Sequence, residues 1–470
     1  MRKRTRRLLC LGLLAPAAAG CADPRAPSVV YKHDADRIIA AARTRNDAYA
    51  KLAHLCDRIG HRLSGSPQLE QAVAWAQEAM ICDGHENVRA EPVMVPRWIR
   101  GDESVALIEP YERPLRMLGL GGSVGTPPQG LRAEVLVVED EAGLAAAGER
   151  ARGRIVLFNN AMPPYDPRRG SGYGTAVRFR HKGARLAAEQ GAVGCLIRSV
   201  TANSLYTPHT GAMSYDGAPR KIPAAALTIE DAMLLARLAA AGQRVVVELR
   251  MQARDDGEAP SANVVGELRG RSRPNEIVVI GGHIDSWDVG QGAHDDAAGC
   301  VMAMEAISVL RRLGLVPRRT IRVVLFTNEE NGLAGAKKYA EDHAAELPHH
   351  VAAIESDSGA FRPTGFSYEV NDPQRQQRAG EQLADIVRLL EPLGPMRVRA
   401  GGSGADIGAM KPAGVALLGL NVAGETYFNY HHTEADTLDK VDPRDLSDAT
   451  AALAVMAYVL ADMPDRLGEP

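Results

Sequence analysis

The chain has 470 residues, which is enough for two or three domains with sizeable hydrophobic cores. Its formal net charge of -3 gives no electrostatic case for a nucleic-acid partner. Hydrophobic residues make up 45% of the chain and charged residues 24%, values that are ordinary for a globular protein and do not favour a disordered one.

Residues 1–21 have the pattern of an export signal. A basic start is followed by an apolar run over residues 8–19, which is too short to span a membrane. Residues 18–21 (Ala-Ala-Gly-Cys) resemble a bacterial lipoprotein cleavage box, which predicts a lipid on Cys21; plain secretion is the alternative. We therefore predict an exported protein, in the periplasm or cell envelope as a lipoprotein or secreted, that meets a membrane only through this anchor.

Four cysteines lie beyond the predicted signal, at Cys56, Cys82, Cys195 and Cys300. None of them forms a Cys-x-x-Cys pair, so neither a zinc knuckle nor a redox motif is indicated. In an exported protein a bridge between Cys56 and Cys82 is one possibility. The alternative is that all four are small buried side chains.

Residues 34–95 are predicted to form an N-terminal helical part of the catalytic domain. Apolar residues recur there at helical spacing, for example Ile38, Leu52 and Leu55. Residues 60–67 are rich in turn-forming residues and predict a loop between the helices.

Residues 96–258 contain short strand-like runs and one predicted helix, and no metal-ligand motif. We predict a β-rich insert over this range. Within it, residues 166–180 are rich in Gly, Arg and Tyr and are expected to form a loop. Residues 254–260 are polar and are expected to be the linker that returns the chain to the next domain.

Residues 259–470 alternate between strand-like and helical patterns. Apolar runs over residues 277–280, 321–326 and 351–354 predict strands, and residues 298–313 have the pattern of a helix between the first two. This alternation predicts an α/β fold with a mostly parallel central sheet flanked by helices.

Residues of the types that bind metals follow each of the three predicted strands. His283 follows the first, Glu329 and Glu330 follow the second, and Asp357 follows the third. The carboxyl ends of parallel strands lie at one edge of a sheet, where ligands bind. We therefore expect these side chains to converge although they are distant in sequence.

Histidine and carboxylate side chains together suit zinc. Two histidines and three carboxylates are too many ligands for one tetrahedral ion with an open position. They fit two zinc ions that share one carboxylate and that together hold a hydroxide and polarise a carbonyl. Of the adjacent acids Glu329 and Glu330, one would then bind metal and the other would act as general base.

The motifs around these residues resemble those of the superfamily of co-catalytic zinc aminopeptidases and glutamate carboxypeptidases. The most specific part of the resemblance rests on Gly-His-Ile-Asp-Ser-Trp-Asp-Val-Gly-Gln-Gly-Ala at residues 282–293, Ser-Leu-Tyr-Thr-Pro-His-Thr-Gly at 204–211 and Lys-Ile-Pro at 221–223. The resemblance extends from about Ala35 to the C-terminus and so covers nearly all of the mature chain.

This resemblance implies a set of metal ligands in two groups. His283 and Asp357 would bind one zinc ion, and Glu330 and His432 would bind the other. Asp295 would bridge the two ions. The neighbouring His431 does not fit the pattern of the family, in which the ligand histidine is followed by Thr or Ser and then by Asp-Thr.

The resemblance also implies roles for residues that do not bind metal. Glu329 would be the general base, and the carboxylate of Asp285 would orient the imidazole of His283. A cis peptide bond would join Asp295 to Asp296. Residues 96–258 would be a protease-associated domain, and the loop Ser403–Asp406 would lie at the substrate pocket.

The function that follows from the resemblance is hydrolysis of dipeptides and short peptides with free termini, as a carboxypeptidase or dipeptidase, by a homodimer. An aminopeptidase uses the same metals and is the main alternative, and a receptor-like member without activity is another. A serine hydrolase is disfavoured, because Ala405 stands where the nucleophile motif around Ser403 needs glycine.

Overall fold

A computed structural model describes residues 24–167 and 169–469. The predicted export signal and Cys21 lie outside these residues. In chain order the helices are α1 (Pro27–Val30), α2 (Lys32–Thr44), α3 (Ala48–His54), α4 (Pro67–Cys82), α5 (Glu141–Ala147), α6 (Tyr173–Glu189), α7 (Ile229–Ala240), α8 (Ala298–Arg312), α9 (Ala334–Asp342), α10 (Pro373–Ile386) and α11 (Pro443–Asp462). Within the described ranges, no helix has the length and apolar character needed to cross a membrane.

The strands fall into two eight-stranded sheets. In chain order they are β1 (Glu86–Ile99), β2 (Glu103–Glu109), β3 (Arg113–Leu115), β4 (Met117–Gly119), β5 (Leu131–Val138), β6 (Ile155–Phe158), β7 (Gly194–Arg198), β8 (Ala224–Leu227), β9 (Val246–Met251), β10 (Arg254–Leu268), β11 (Arg273–His283), β12 (Arg319–Phe326), β13 (His350–Glu355), β14 (Pro363–Glu369), β15 (Arg397–Ala400) and β16 (Ala416–Val422).

The first sheet has the strand order β1-β10-β12-β11-β13-β16-β14-β15. Its central strands β12, β11, β13 and β16 run parallel, because the chain crosses over through helices between them. Antiparallel strands flank this centre on both sides. The sequence prediction of an α/β fold with helices beside a largely parallel sheet is confirmed.

The hydrophobic core of this sheet lies against α8 and α11, which are buried along nearly their whole length. Their small and branched apolar side chains pack on strands that are apolar on both faces, as expected for parallel strands covered by helices. The predicted helix at residues 298–313 is confirmed as α8.

The second sheet has the order β3-β2-β9-β5-β6-β7-β8-β4 and is built by the chain between β1 and β10. Its strands β5, β6, β7 and β8 run parallel, and α5, α6 and α7 accompany them. It has two hydrophobic cores of its own.

Two strands join the sheets, and both correct a prediction. β1 was expected to continue the helical part to residue 95, and the start of β10 was expected to be a linker. Instead β1 and β10 pair antiparallel from Glu86↔Glu267 to Ile99↔Arg254. The start of β10 is polar and exposed, and it forms a strand by pairing with a distant segment of the chain.

Two further expectations change. The expected loop at residues 166–180 ends at Tyr173, where α6 begins and buries Ala176 and Phe179. The four described cysteines are all free, so the possible bridge between Cys56 and Cys82 is absent. Cys82 is exposed, unlike the other three, which are buried as the alternative expected.

Candidate active site

The carboxyl ends of the parallel strands bring the predicted residues together. His283 ends β11, Glu329 and Glu330 follow β12, and Asp357 follows β13. Asp295 lies in the tight turn that leads into α8. A cis peptide bond joins it to Asp296, as the resemblance implied. Strand ends therefore place most of the ligand-type side chains, and two loops supply the rest.

The side chains meet in two groups joined by Asp295. In the first, His283 Nε2 lies 3.2 Å from Asp295 Oδ1 and 3.6 Å from Asp357 Oδ1. In the second, His432 Nε2 lies 3.3 Å from Asp295 Oδ2 and 3.1 Å from Glu330 Oε2. Each oxygen of the Asp295 carboxylate thus faces a different histidine.

This donor set fits divalent metal ions. Ligand atoms of His283, Asp295 and Glu330 all lie within 4.8 Å of one another, as do those of His283, Asp296 and Asp357. Glu330 Oε1 is buried and has no hydrogen-bond partner among the residues that the structure describes. Burial raises the pKa of Glu330 to about 7. Crowded, buried carboxylates of this kind are stabilised by a cation, and imidazole with carboxylate suits zinc.

His432 adopts a left-handed backbone conformation with φ of +61°, and its Nε2 points at Asp295 and Glu330. The adjacent His431 stacks on it, with ring centroids 3.6 Å apart. His431 Nε2 is farther from Asp295 Oδ2, at 3.8 Å, and no described residue makes a hydrogen bond to its Nδ1. The geometry therefore favours His432 over His431 as the ligand, in agreement with the sequence pattern.

Asp285 makes contacts that differ from the expected one. Its backbone carbonyl, not its carboxylate, lies 3.0 Å from His283 Nδ1, whereas the carboxylate oxygen is 3.8 Å away. The carboxylate instead accepts the backbone N–H groups of Glu329 at 3.0 Å and Glu330 at 3.3 Å. Asp285 therefore holds the turn that carries the two glutamates. This turn follows the end of the neighbouring strand β12.

Asp436 and Arg62 hold the loops of the site, and sequence reasoning did not single them out. The carboxylate of Asp436 accepts the backbone N–H groups of His294 at 2.8 Å and Asp295 at 3.1 Å. Its signal was present, since Asp436 follows His432 within one short motif. No comparable signal marked the side chain of Arg62.

The guanidinium of Arg62 is completely buried, and its acceptors among the described residues are backbone carbonyls. Its acceptors include the carbonyls of Ile284 at 2.9 Å, Gln291 at 2.8 Å and Gly292 at 3.1 Å. These carbonyls belong to the loop between His283 and Asp295. Arg62 therefore ties that loop to the N-terminal part of the chain.

The carboxylates open into a cavity of about 490 Å³. Glu329 lines it, and burial raises the pKa of this carboxyl well above its usual range. Helix α6 of the insert contributes Tyr173 and Arg180, and Tyr173 stacks on Phe428, which also lines the cavity, at a centroid distance of 5.0 Å. A volume of this size suits a small ligand rather than a folded protein.

The loop Ser403–Asp406 does not line this cavity, contrary to the expectation. It wraps around Glu355, whose carboxylate accepts the backbone N–H groups of Ala405 at 3.1 Å and Ile407 at 3.0 Å. The neighbouring Arg399 of β15 reaches the cavity instead. The loop curls inward because a buried carboxylate needs these donors.

Comparison with known proteins gives consistent relationships. The model of peptidase family M28 matches residues 263–457. Carboxypeptidase Q of Bos taurus is 41% identical over 425 residues, which cover 90% of this chain and 87% of that protein. Carboxypeptidase Q of Mus musculus is 42% identical over 441 residues, 93% of this chain and 91% of that protein.

Solved structures share the architecture. A peptidase M28 precursor from Shewanella amazonensis superposes with a TM-score of 0.89 at 36% identity, over 94% of this chain and 99% of that one. A zinc aminopeptidase from Bacillus subtilis superposes with a TM-score of 0.63 at 19% identity, over 90% and 96% of the two chains, which is a likeness of fold.

Proposed function

Because the chain belongs to peptidase family M28 and is a metallopeptidase related to carboxypeptidase Q, we propose that it hydrolyses dipeptides and short peptides with free termini. The observation that carries this proposal is the pair of ligand groups sharing Asp295 at the base of a small cavity. The sequence identity of 41% to a protein named carboxypeptidase Q supports a carboxypeptidase or dipeptidase activity rather than an aminopeptidase activity.

The proposed cofactor is two zinc ions per chain. His283 and Asp357 would hold one ion, Glu330 and His432 would hold the other, and Asp295 would bridge them. The bound metal would polarise the scissile carbonyl and make the attacking water more acidic. The near-symmetric placement of the two histidines on either side of the Asp295 carboxylate supports this division.

The backbone sets the tautomer of both proposed histidine ligands. His283 Nδ1 can donate to the carbonyl of Asp285 at 3.0 Å, and His432 Nδ1 can donate to the carbonyl of Thr210 at 3.2 Å. Each hydrogen bond places the proton on Nδ1 and leaves the lone pair of Nε2 directed at the carboxylates.

Glu329 is the proposed general base and acid. It would take a proton from the attacking water and deliver it to the nitrogen of the leaving amine. Two observations support this role: Glu329 lines the cavity, and burial raises the pKa of its carboxyl well above the usual range, which favours proton uptake by this group. Asp285 would keep Glu329 and Glu330 in register through their N–H groups.

The insert over residues 96–258 is proposed to be a protease-associated domain that forms one wall of the cavity. The domain division proposed from the sequence places residues 34–95 and 259–470 in the catalytic part. The second sheet and its cores support this division, with the correction that the boundary crosses the ladder of β1 and β10.

The first test combines a substrate panel with metal removal. Free, N-blocked and C-blocked dipeptides would be assayed before and after chelation. We expect cleavage to be much faster with a free carboxylate than with a blocked one, to stop in excess chelator and to return with zinc. Preference for C-blocked over N-blocked dipeptides would favour the aminopeptidase. Cleavage of none of the three dipeptides, with zinc bound, would favour a receptor-like member. Undiminished activity without detectable metal would refute the metal proposal.

Export and association complete the proposal. We expect the mature protein in the cell envelope, lipidated at Cys21 or secreted, and assembled as a homodimer, as the resemblance implies. Sedimentation of the mature protein at micromolar concentration should give the mass of a dimer. A clean monomer there would contradict the dimer.

A further inference from the structure

Arg180 is a buried cation in the wall of the active-site cavity. It lies on α6 of the insert, and only 8% of its surface is exposed. Gly211 lies directly against it: a Cβ atom at that position would be 2.5 Å from the Arg180 guanidinium carbon. The close approach of the Gly211 backbone therefore forms a slot for the guanidinium.

The guanidinium has few partners for a buried charge. Nη2 donates to the hydroxyl of Tyr173 at 2.7 Å, and Nη1 lies 3.3 Å from His432 Nδ1. Nε is buried and has no hydrogen-bond partner in the described part of the chain. Among residues 24–167 and 169–469, no carboxylate makes an ion pair with Arg180. Buried charges are normally paired, so this one lacks an anion.

Metal binding by His432 would leave Arg180 still less satisfied. Ligation through Nε2 requires a proton on Nδ1, which then donates to the carbonyl of Thr210. A protonated Nδ1 cannot accept from Arg180 Nη1. Two divalent ions would also neutralise the four carboxylates that line the cavity, which leaves Arg180 as surplus positive charge.

The geometry points to Arg180 as the group that binds the free α-carboxylate of the substrate. This inference rests on the proposed carboxypeptidase or dipeptidase function and names the residue that gives it its specificity. A guanidinium held in a slot presents a planar fork of N–H donors, which matches a carboxylate. The carboxylate would supply the acceptors that Nε and Nη1 lack.

Arg399 is the other arginine in the cavity lining. It lies on β15 and is exposed to solvent. An exposed guanidinium is solvated and flexible, so it gains less from a carboxylate than a desolvated, fixed one does. Arg180 is therefore the favoured partner, and Arg399 serves as the internal comparison.

The test measures discrimination between dipeptides and their C-terminal amides. Steady-state kinetics would be run on the zinc-loaded wild type and on Arg180→Gln, Arg180→Lys, Arg399→Gln and Arg178→Gln. Arg178 is the matched control, because it lies on the same helix with its side chain half exposed, 4.0 Å from Glu141. Calorimetry with a reduced-bond, uncleavable dipeptide and its amide, together with zinc analysis, would give readouts that do not depend on turnover.

In Arg180→Gln we expect kcat/KM for the free dipeptide to fall by about 10²–10³-fold, mainly through KM, because a buried charge pair loses one partner. Cleavage of the amide and zinc content should be nearly unchanged. The uncleavable dipeptide should lose affinity by a similar factor, and its amide should not. Arg180→Lys should retain part of the discrimination even if Arg180→Gln folds poorly, and Arg178→Gln should match the wild type.

Three results would overturn the inference. Equal losses for dipeptide and amide in the Arg180 variants would show that Arg180 acts on His432 or on the reaction itself. Loss of discrimination in Arg399→Gln alone would assign the carboxylate to Arg399. Discrimination that survives in all variants would remove Arg180 while leaving the proposed function intact. A wild type that cleaves amide and acid equally would instead refute the proposed function, and the role of Arg180 with it.

Discussion

Glu329→Gln is expected to lower turnover by about 10²–10⁴-fold, the range for a lost general base, while the protein keeps its zinc and its fold. The substitution preserves size and removes the basic oxygen. Glu329 lies in the cavity lining, and its backbone N–H, not its side chain, makes the bond to Asp285. The substitution therefore leaves the turn in place, and the variant should still bind substrate.

Glu330→Gln is the matched comparison, since it changes the adjacent residue in the same way. The Glu330 carboxylate lies 3.1 Å from His432 Nε2, in the second ligand group. This variant should lose zinc from that group and regain activity as metal is added. Zinc stoichiometry and turnover would be measured on both proteins. Zinc loss in Glu329→Gln with full zinc in Glu330→Gln would reverse the two roles.

Asp295→Asn should remove the carboxylate that joins both ligand groups. An amide side chain has the shape of a carboxylate but only one oxygen and no negative charge. His283 and His432 would then no longer share an anionic partner. We expect bound zinc to fall below two ions per chain and kcat/KM to fall by about 10³-fold or more, since a metal contributes several kcal/mol to catalysis. Elemental analysis and kinetics would check both.

The control for this variant is Asp296→Asn. Asp296 is equally buried, but its oxygens accept the backbone N–H groups of His283 and Gly299, each at 3.1 Å. This variant should keep more zinc than Asp295→Asn. Should zinc instead be lost from Asp296→Asn and retained in Asp295→Asn, the bridging role belongs to Asp296.

The parallel centre of the sheet was predictable because its strands are buried on both faces. Runs such as residues 277–280 are apolar without interruption, which is the pattern of parallel strands that are covered by helices on both faces. The convergence of His283, Glu329 and Asp357 then followed from topology, since parallel strands end at one edge. These features depend on local pattern and on one general rule of architecture.

The features that escaped prediction depend on contacts between distant chain segments. The start of β10 is polar, and it is a strand because the distant β1 pairs with it. The direction of the Asp285 carboxylate depends on the neighbouring strand end that presents Glu329. A single arginine such as Arg62 or Arg180 has no periodic pattern, so only the folded chain reveals its partners.

The contribution of α6 to the cavity wall has a consequence for how this enzyme can diversify. The proposed zinc ligands and Glu329 all lie between residues 283 and 432, whereas Tyr173 and Arg180 belong to a separate stretch with its own hydrophobic core. On the proposed role of Arg180, substitutions on α6 would change which peptides are accepted while the proposed zinc ligands and Glu329 keep their identity. Natural selection or directed evolution would then change the substrate preference of such an enzyme through α6, while the proposed zinc ligands and Glu329 stay the same.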